Sequence, residues 1–213
     1  MPAGRLSAFQ RAWCTPENVS IYMRGRGGQV QAAAEILAQA LQWREEFQDV
    51  LSGVRVPAWQ SDFRVLTRCE SGHTMVYLCY RHHVPPSNIQ AIVEHGAVVL
   101  EHAVRALRHG AEQFDVLVDC YGFNATHLDC RSLVGILRMI QQPFRDRLRT
   151  AIFIGAPSAF SFVFRLGSRI VKEETRRKAR FAAPEEAVAY VLEVGGPVAA
   201  RAVEGAIAAS REG

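Results

Sequence analysis

Short apolar runs alternate with longer amphipathic segments through the C-terminal half of the chain, and this alternation most constrains the fold. "FDVLVD" (114–119) and "AIFIGA" (151–156) have the length and composition of buried strands. "ARFA" (179–182) is a third, shorter run. The segments between the runs have the apolar spacing of helices. The alternation predicts an α/β fold with a mixed, largely parallel sheet flanked by helices.

The N-terminal part is predicted to be helical. Thr15 and Pro16 form a helix start, and a long helix is expected from about Gln29 to Val50. Strands are expected at 64–67 and 75–80, followed by a helix from a Ser87 cap to residue 109. Further helices are expected after Pro184 and Pro197. We divide the chain into an N-terminal helical segment (1–55), a central domain (56–196) and a C-terminal helix (197–213).

Composition is typical of a globular protein, with 49% hydrophobic and 22% charged residues in a chain of 213. The longest stretch without charge, from Thr150 to Phe164, is too short to span a membrane. The first residues lack the apolar segment of a secretory signal. The five cysteines show no CxxC pair and no ligand spacing with histidine. We therefore expect a cytoplasmic protein with reduced thiols, no metal and no cofactor.

Positive charge is concentrated in two segments. Residues 165–180 carry seven basic and two acidic side chains, and residues 138–149 carry four arginines and one aspartate. A localised basic surface favours a partner that bears phosphate. The alternative is that these charges only form a helix face exposed to solvent, without a partner. Single-stranded nucleic acid is bound by rings interleaved with cations, but here the rings precede the cations. We therefore expect no nucleic-acid partner.

Two groups of side chains suggest chemistry of other kinds. Cys120 and His127 follow a strand end, where a nucleophile pair is conceivable, but no catalytic signature surrounds them. We therefore expect that the protein is not an enzyme, and we keep an enzyme that uses Cys120 and His127 as an alternative.

His95, His102 and His109 repeat every seven residues, too far apart along a helix to share a metal ion. We expect them on a solvated face.

The stretch "SAFSFVFRLGSRIV" (158–171) places apolar residues on both sides of a helix. Phe160 and Phe164 share one face, and Phe162 and Leu166 lie nearly opposite. Such a helix is either fully buried or meets a surface other than water. The cluster of charge that follows argues against full burial.

The order of these motifs resembles a CRAL-TRIO domain, the fold of the phosphatidylinositol-transfer proteins and of carriers for tocopherol and retinal. "NVSIYMRGRGGQVQAAAEILAQALQWREEF" resembles the family's N-terminal helices, and "SGHTMVYLCY" resembles its hairpin. "FDVLVDCYG", "QQPFRDRLRTAIFIGAPSAFSFVFRL" and "EETRRKARF" resemble the later family motifs in the same order. The resemblance covers roughly residues 15 to 196.

The resemblance implies a non-enzymatic protein that binds and transfers a lipid in an apolar cavity closed by a gate helix. Residues 158–171 match the gate. The gate and cavity residues implied are Phe160, Phe162, Phe164, Leu166, Ile170, Phe114 and Val116. Phe114 and Val116 stand where the family's phosphatidylcholine binders carry hydroxyls, so no choline site is expected.

The resemblance also implies a headgroup site for phosphatidylinositol or a phosphoinositide. Arg26 and Lys178 would neutralise the phosphate, Thr175 would donate a hydrogen bond, and Asp146 would accept from ring hydroxyls. Cys69 replaces a family aspartate, so either Glu70 takes that role or the contact is lost.

The expected partners are a phospholipid and, transiently, a membrane surface. Two alternatives stay open. One is a scaffold for a small GTPase or another protein, docked on the last helix. The other is a carrier of a neutral ligand that resembles tocopherol or a retinoid.

Overall fold

The structure, a computed structural model, describes residues 5–83, 88–108, 110–124, 127, 135, 139, 143–158, 160 and 173–212, with only the backbone of 174 and 175. Within these residues five strands form one sheet in chain order. They are β1 (Arg64–Arg68), β2 (Thr74–Cys79), β3 (Phe114–Asp119), β4 (Leu148–Ile154) and β5 (Ala179–Ala182). β1 pairs antiparallel with β2, and the other neighbours pair in parallel. The predicted mixed, largely parallel α/β sheet is confirmed.

Helices precede and follow these strands. The N-terminal ones are α1 (Ala8–Trp13), α2 (Pro16–Arg24), α3 (Val30–Glu46) and α4 (Gln48–Leu51). The later ones are α5 (Ile89–Arg105), α6 (Glu173–Arg177), α7 (Pro184–Gly195) and α8 (Pro197–Ala209). In the described part of the chain no helix is both long enough and apolar enough to span a bilayer.

The two faces of the sheet pack against different helices, because successive strand residues point to opposite sides. The face that we call the α8 face packs against α7 and α8 and carries Met75, Tyr77, Leu117, Ile152 and Ile154. The face that we call the α5 face packs against α4 and α5 and carries Val76, Phe114, Val116 and Val118. Both clusters consist mainly of apolar side chains, so both faces contribute to the core.

Local signals explain where the helices begin. Thr15 caps α2, as predicted, and its hydroxyl accepts from the Asn18 amide at 3.3 Å. The predicted long helix is broken at Phe47, which separates α3 from α4. Asn88 caps α5 by accepting from the Gln90 amide at 3.0 Å. The predicted cap, Ser87, lies outside the described residues.

The prediction of a solvated face on α5 is wrong at His95 and Glu101. Glu101 is 4% exposed and accepts two hydrogen bonds from the Arg44 guanidinium, at 2.8 and 2.9 Å. His95 is also buried, and its Nε2 lies 3.0 Å from the Phe63 carbonyl oxygen. His102 is exposed, as expected, and residue 109 lies outside the description. Burial is feasible because each polar group has a partner on another element.

The end of α8 is attached to the sheet by a buried carboxylate. Asp119 is fully buried and accepts from the Tyr77 hydroxyl at 2.7 Å and from Arg211 Nη1 at 2.6 Å. Burial alone would raise the pKa of Asp119, but the hydrogen bonds from Arg211 and Tyr77 hold it below its usual value. Val203 and Ile207 of α8 are buried in the same region. This packing occupies part of the helix surface that the scaffold alternative assigns to a partner.

Candidate functional site

Asp146 and the residue before Arg26 come together at the edge of the sheet where the parallel strands begin. Asp146 lies two residues before β4, and its carboxylate packs against Gly25, the neighbour of Arg26. A Cβ at Gly25 would collide with the Asp146 carboxylate, whose Cγ would be only 3.2 Å away. Glycine at 25 therefore permits a close approach that any other residue would block.

The backbone and the carboxylate of Asp146 are both unusual. Its φ is 60°, a left-handed conformation that is unfavourable by about 1–2 kcal/mol for a residue with a Cβ. A hydrogen bond from Gln113 Nε2 to the Asp146 carbonyl oxygen, at 3.0 Å, supports this conformation. Asp146 Oδ2 is buried without a hydrogen-bond partner among the described residues, although Arg145 Nε lies 3.4 Å away. Because Oδ2 is buried and paired with Arg145, a ligand hydroxyl could use its remaining lone pair only once neighbouring side chains move aside.

Lys178 lies at the same edge of the sheet, in a separate basic pocket. The pocket has a volume of about 550 Å³ and is lined by Arg149, Thr150, Glu173, Arg177, Lys178 and Arg180. The Lys178 carbonyl oxygen accepts from the Ala151 amide at 2.9 Å, which holds Lys178 directly before β5. Thr175 lies in α6, and the structure does not describe its side chain.

Arg149 and Arg180 contribute to this pocket but were not among the predicted site residues. Arg149 Nε donates to Asp115 Oδ1 at 2.9 Å, and Asp115 is fully buried on β3. In the sequence, Arg149 stood out only as one of the four arginines of the basic segment 138–149. Its place in a pocket with Lys178 depends on the parallel pairing of β4 and β5.

Glu70 lies on the α8 side of the sheet. Its carboxylate packs over Gly196, where a Cβ would be 2.5 Å from Oε1, and its amide donates to the Gly195 carbonyl oxygen at 3.1 Å. No contact among the described residues joins it to Arg26 or Lys178. A role for Glu70 in the headgroup site therefore stays a prediction.

Three of the predicted cavity residues share the apolar cluster on the α5 face. Phe114 lies at the beginning of β3, and Val116 lies in the middle of the same strand. Phe160 lies at the opposite end, with its ring centroid 5.1 Å from those of Phe123 and Phe153. Phe162, Phe164, Leu166 and Ile170 lie outside the described residues, so the gate helix stays a prediction.

A cluster of histidine and aromatic rings adjoins Phe160 and was not predicted. Tyr80 contacts Phe160, His83 and His127, with centroids 6.2, 5.8 and 5.1 Å away. Burial, and then the proximity of His127 and His95, lowers the pKa of His83 to about 4. These histidines belong to separate segments, so the sequence contains no spacing that would mark the cluster.

The surroundings of Cys120 do not favour the enzyme alternative. Burial and the nearby Asp119 carboxylate raise the pKa of the Cys120 thiol to about 12, which suppresses the nucleophilic thiolate. His127 Nε2 lies 2.8 Å from the His83 carbonyl oxygen, and its Nδ1 accepts from the Asn124 amide at 3.0 Å. Within the described residues, no three His, Cys, Asp or Glu side chains are grouped as metal ligands.

Comparisons with known proteins agree with this geometry. The CRAL/TRIO domain family matches residues 66–193. The protein named real-time of Aedes aegypti is 23% identical in an alignment 180 residues long, which covers 75% of this chain and 28% of that protein. The crystal structure of Sfh5 superposes with a TM-score of 0.62 at 15% identity, covering 78% of this chain and 63% of that one. This chain thus spans less than two thirds of either protein. The family model matches more than half of the residues of this chain. The chain therefore belongs to the CRAL/TRIO domain family, whose members bind small lipophilic ligands.

Proposed function

We propose that this protein binds one phospholipid, phosphatidylinositol or a phosphoinositide, and transfers it between membranes or presents it there. The acyl chains would lie along the α5 face of the sheet. The headgroup would lie at the edge where β4 and β5 begin, near Arg26, Asp146, Thr175 and Lys178. The observation that carries the proposal is Asp146, an acid in a strained conformation against Gly25, the residue before Arg26, with a buried oxygen that no described residue hydrogen-bonds.

Charge at this edge suits a phosphate diester. Four cations line the pocket that contains Lys178, and Glu173 is the only acid among the described residues of its lining. Cationic side chains near an anionic membrane surface each contribute about 1 kcal/mol to association. The same edge therefore supports both recognition of the headgroup and approach to the membrane.

Affinity would come mainly from the lipid chains. Each methylene removed from water contributes about 0.8 kcal/mol. The α5 face is apolar from Phe114 at one edge to Phe160 at the other. We propose that residues 158–171 form the gate over this face, on the strength of their two-sided apolar pattern and the contacts of Phe160.

Lipid exchange between vesicles tests the proposal. Asp146→Asn and Lys178→Ala are each expected to slow phosphatidylinositol exchange about tenfold, the effect of losing one charged contact. Arg201→Ala, at an exposed position on α8, is the control and should leave exchange unchanged. Unchanged phosphatidylinositol exchange by both folded headgroup variants would reject the assignment. Retention of a neutral apolar lipid instead would favour the alternative carrier.

A further inference from the structure

A second cavity lies away from the proposed lipid site, between α1, α2, α3 and the end of α5. Its volume is about 460 Å³, within the range of small-molecule sites. Phe9, Trp13, Ile21 and Leu107 supply apolar walls. Among the described residues, none of the predicted headgroup or gate residues lines it.

Arg147 supplies this cavity with a buried positive charge. The residue is 8% exposed, and its Nη1 donates to the Glu112 carbonyl oxygen at 3.0 Å. Its Nη2 donates to the side-chain oxygen of Asn18. Both acceptors are neutral, and no carboxylate among the described residues forms an ion pair with this guanidinium. Burial accordingly lowers the pKa of Arg147. A buried cation without a counter-ion is unfavourable, so the cavity is suited to an anion.

Arg44 adds an unsatisfied donor to the cavity. It is 2% exposed, and its two Nη atoms bind the Glu101 carboxylate. Its Nε is buried without a hydrogen-bond partner in the described part of the chain. The guanidinium carbon also lies 4.6 Å from the centroid of Trp13, which places charge beside an aromatic wall.

The acidic residues that line the cavity are engaged elsewhere or exposed. Glu101 is shared by Arg44 and Arg105, with Arg105 Nε at 3.2 Å. Glu112 forms an ion pair with Arg24, which does not line the cavity. Glu17 lies on the exposed rim at the beginning of α2. None of them neutralises Arg147 by direct contact.

We propose that this cavity binds a small amphipathic carboxylate, a compact apolar or aromatic body that carries one carboxyl group. The carboxylate accepts from Arg147, and the body packs against Trp13 and Phe9. This site is distinct from the lipid cavity, so it does not depend on the proposed function.

Calorimetric titration with naphthalene-1-carboxylate and the neutral naphthalene-1-carboxamide tests this site. The carboxylate should bind the unmodified chain about tenfold more tightly than the carboxamide, because only the carboxylate carries the charge. Arg147→Gln should abolish that preference. Ala12→Phe, which places a ring in the cavity wall, should weaken both ligands. Arg11→Gln is the matched control, since Arg11 is exposed on the same helix and does not line the cavity.

Equal affinity for the two ligands, or no measurable binding of the carboxylate, would overturn the proposal. If Arg147→Gln fails to fold, the Ala12→Phe variant tests the site instead. Undiminished binding of the carboxylate by Ala12→Phe would show that the probe binds elsewhere. Vesicle exchange of phosphatidylinositol by Ala12→Phe should stay at the unmodified rate. Failure of this site is therefore distinguishable from failure of the lipid proposal.

Discussion

For Asp146, the surrounding sequence was enough to predict a role but not the geometry of the side chain. The motif around it pointed to a headgroup contact, and the structure places its carboxylate against Gly25, the residue before Arg26. The positive φ and the unpartnered Oδ2 could not have been predicted, because both depend on the loop before β4 and its contact with α2.

Glu101 is a residue whose surroundings could not be predicted from the sequence. Its neighbours on α5 are charged, which is typical of a solvated face, but its partner Arg44 is 57 residues away in the chain. Local periodicity carries no information about such a pair. The ion pair depends on the packing of α3 near α5.

Replacing Glu101 with Gln should destabilise the fold strongly. The substitution leaves the buried Arg44 charge without its counter-ion, a loss of about 3–5 kcal/mol in the free energy of unfolding. Urea denaturation followed by circular dichroism measures it. Glu173→Gln removes an exposed ion pair with Arg177 and should change stability by less than about 0.5 kcal/mol. Equal effects of the two substitutions would refute the role of the buried pair.

His83 should make the stability of the protein depend on pH. Its pKa is about 4 in the folded protein, against 6.5 for the ordinary side chain, so folding favours the neutral ring. Its contribution is fully present above pH 6.5 and is lost as the pH falls from about 6.5 towards 4. His83→Phe, which keeps an aromatic ring beside Trp59 and Tyr80, should flatten the stability profile across that interval. A profile identical to that of the unmodified chain would count against this account.

At the scale of elements, strands were easier to predict than helix boundaries. β3 matches "FDVLVD" at both ends, because a continuous apolar run bounded by polar residues leaves few alternatives. The break at Phe47 was missed, since the apolar spacing of α3 continues into α4 without a proline or glycine.

The attachment of α8 gives a prediction at this scale. Arg211→Met removes two hydrogen bonds, at 2.6 and 3.1 Å, from the buried Asp119 carboxylate. The free energy of unfolding should fall by about 3 kcal/mol, because Asp119 stays charged and loses its only counter-ion in the described ion pairs. Arg201→Met, at an exposed position of α8, is the matched control. A thermal midpoint that moves equally in both variants would argue against attachment through Asp119.

At the scale of the molecule, the two faces of the sheet pack against different helices, α7 and α8 on one side and α4 and α5 on the other. The α8 face is covered by α7 and α8 and supplies stability. The α5 face runs from Phe114 to Phe160 and is the surface proposed for lipid chains. The order of motifs was sufficient to predict the family. It could not show that Glu70 lies over Gly196 while Asp146 packs against Gly25, because that separation depends on the complete chain path.

The most direct test of the proposed function is native mass spectrometry after incubation with vesicles of mixed phospholipids and neutral lipids. The account predicts a one-to-one adduct with the mass of an inositol phospholipid, reduced in Asp146→Asn and Lys178→Ala. An adduct of phosphatidylcholine or of a neutral lipid would contradict the headgroup assignment. The absence of any adduct would contradict lipid binding itself.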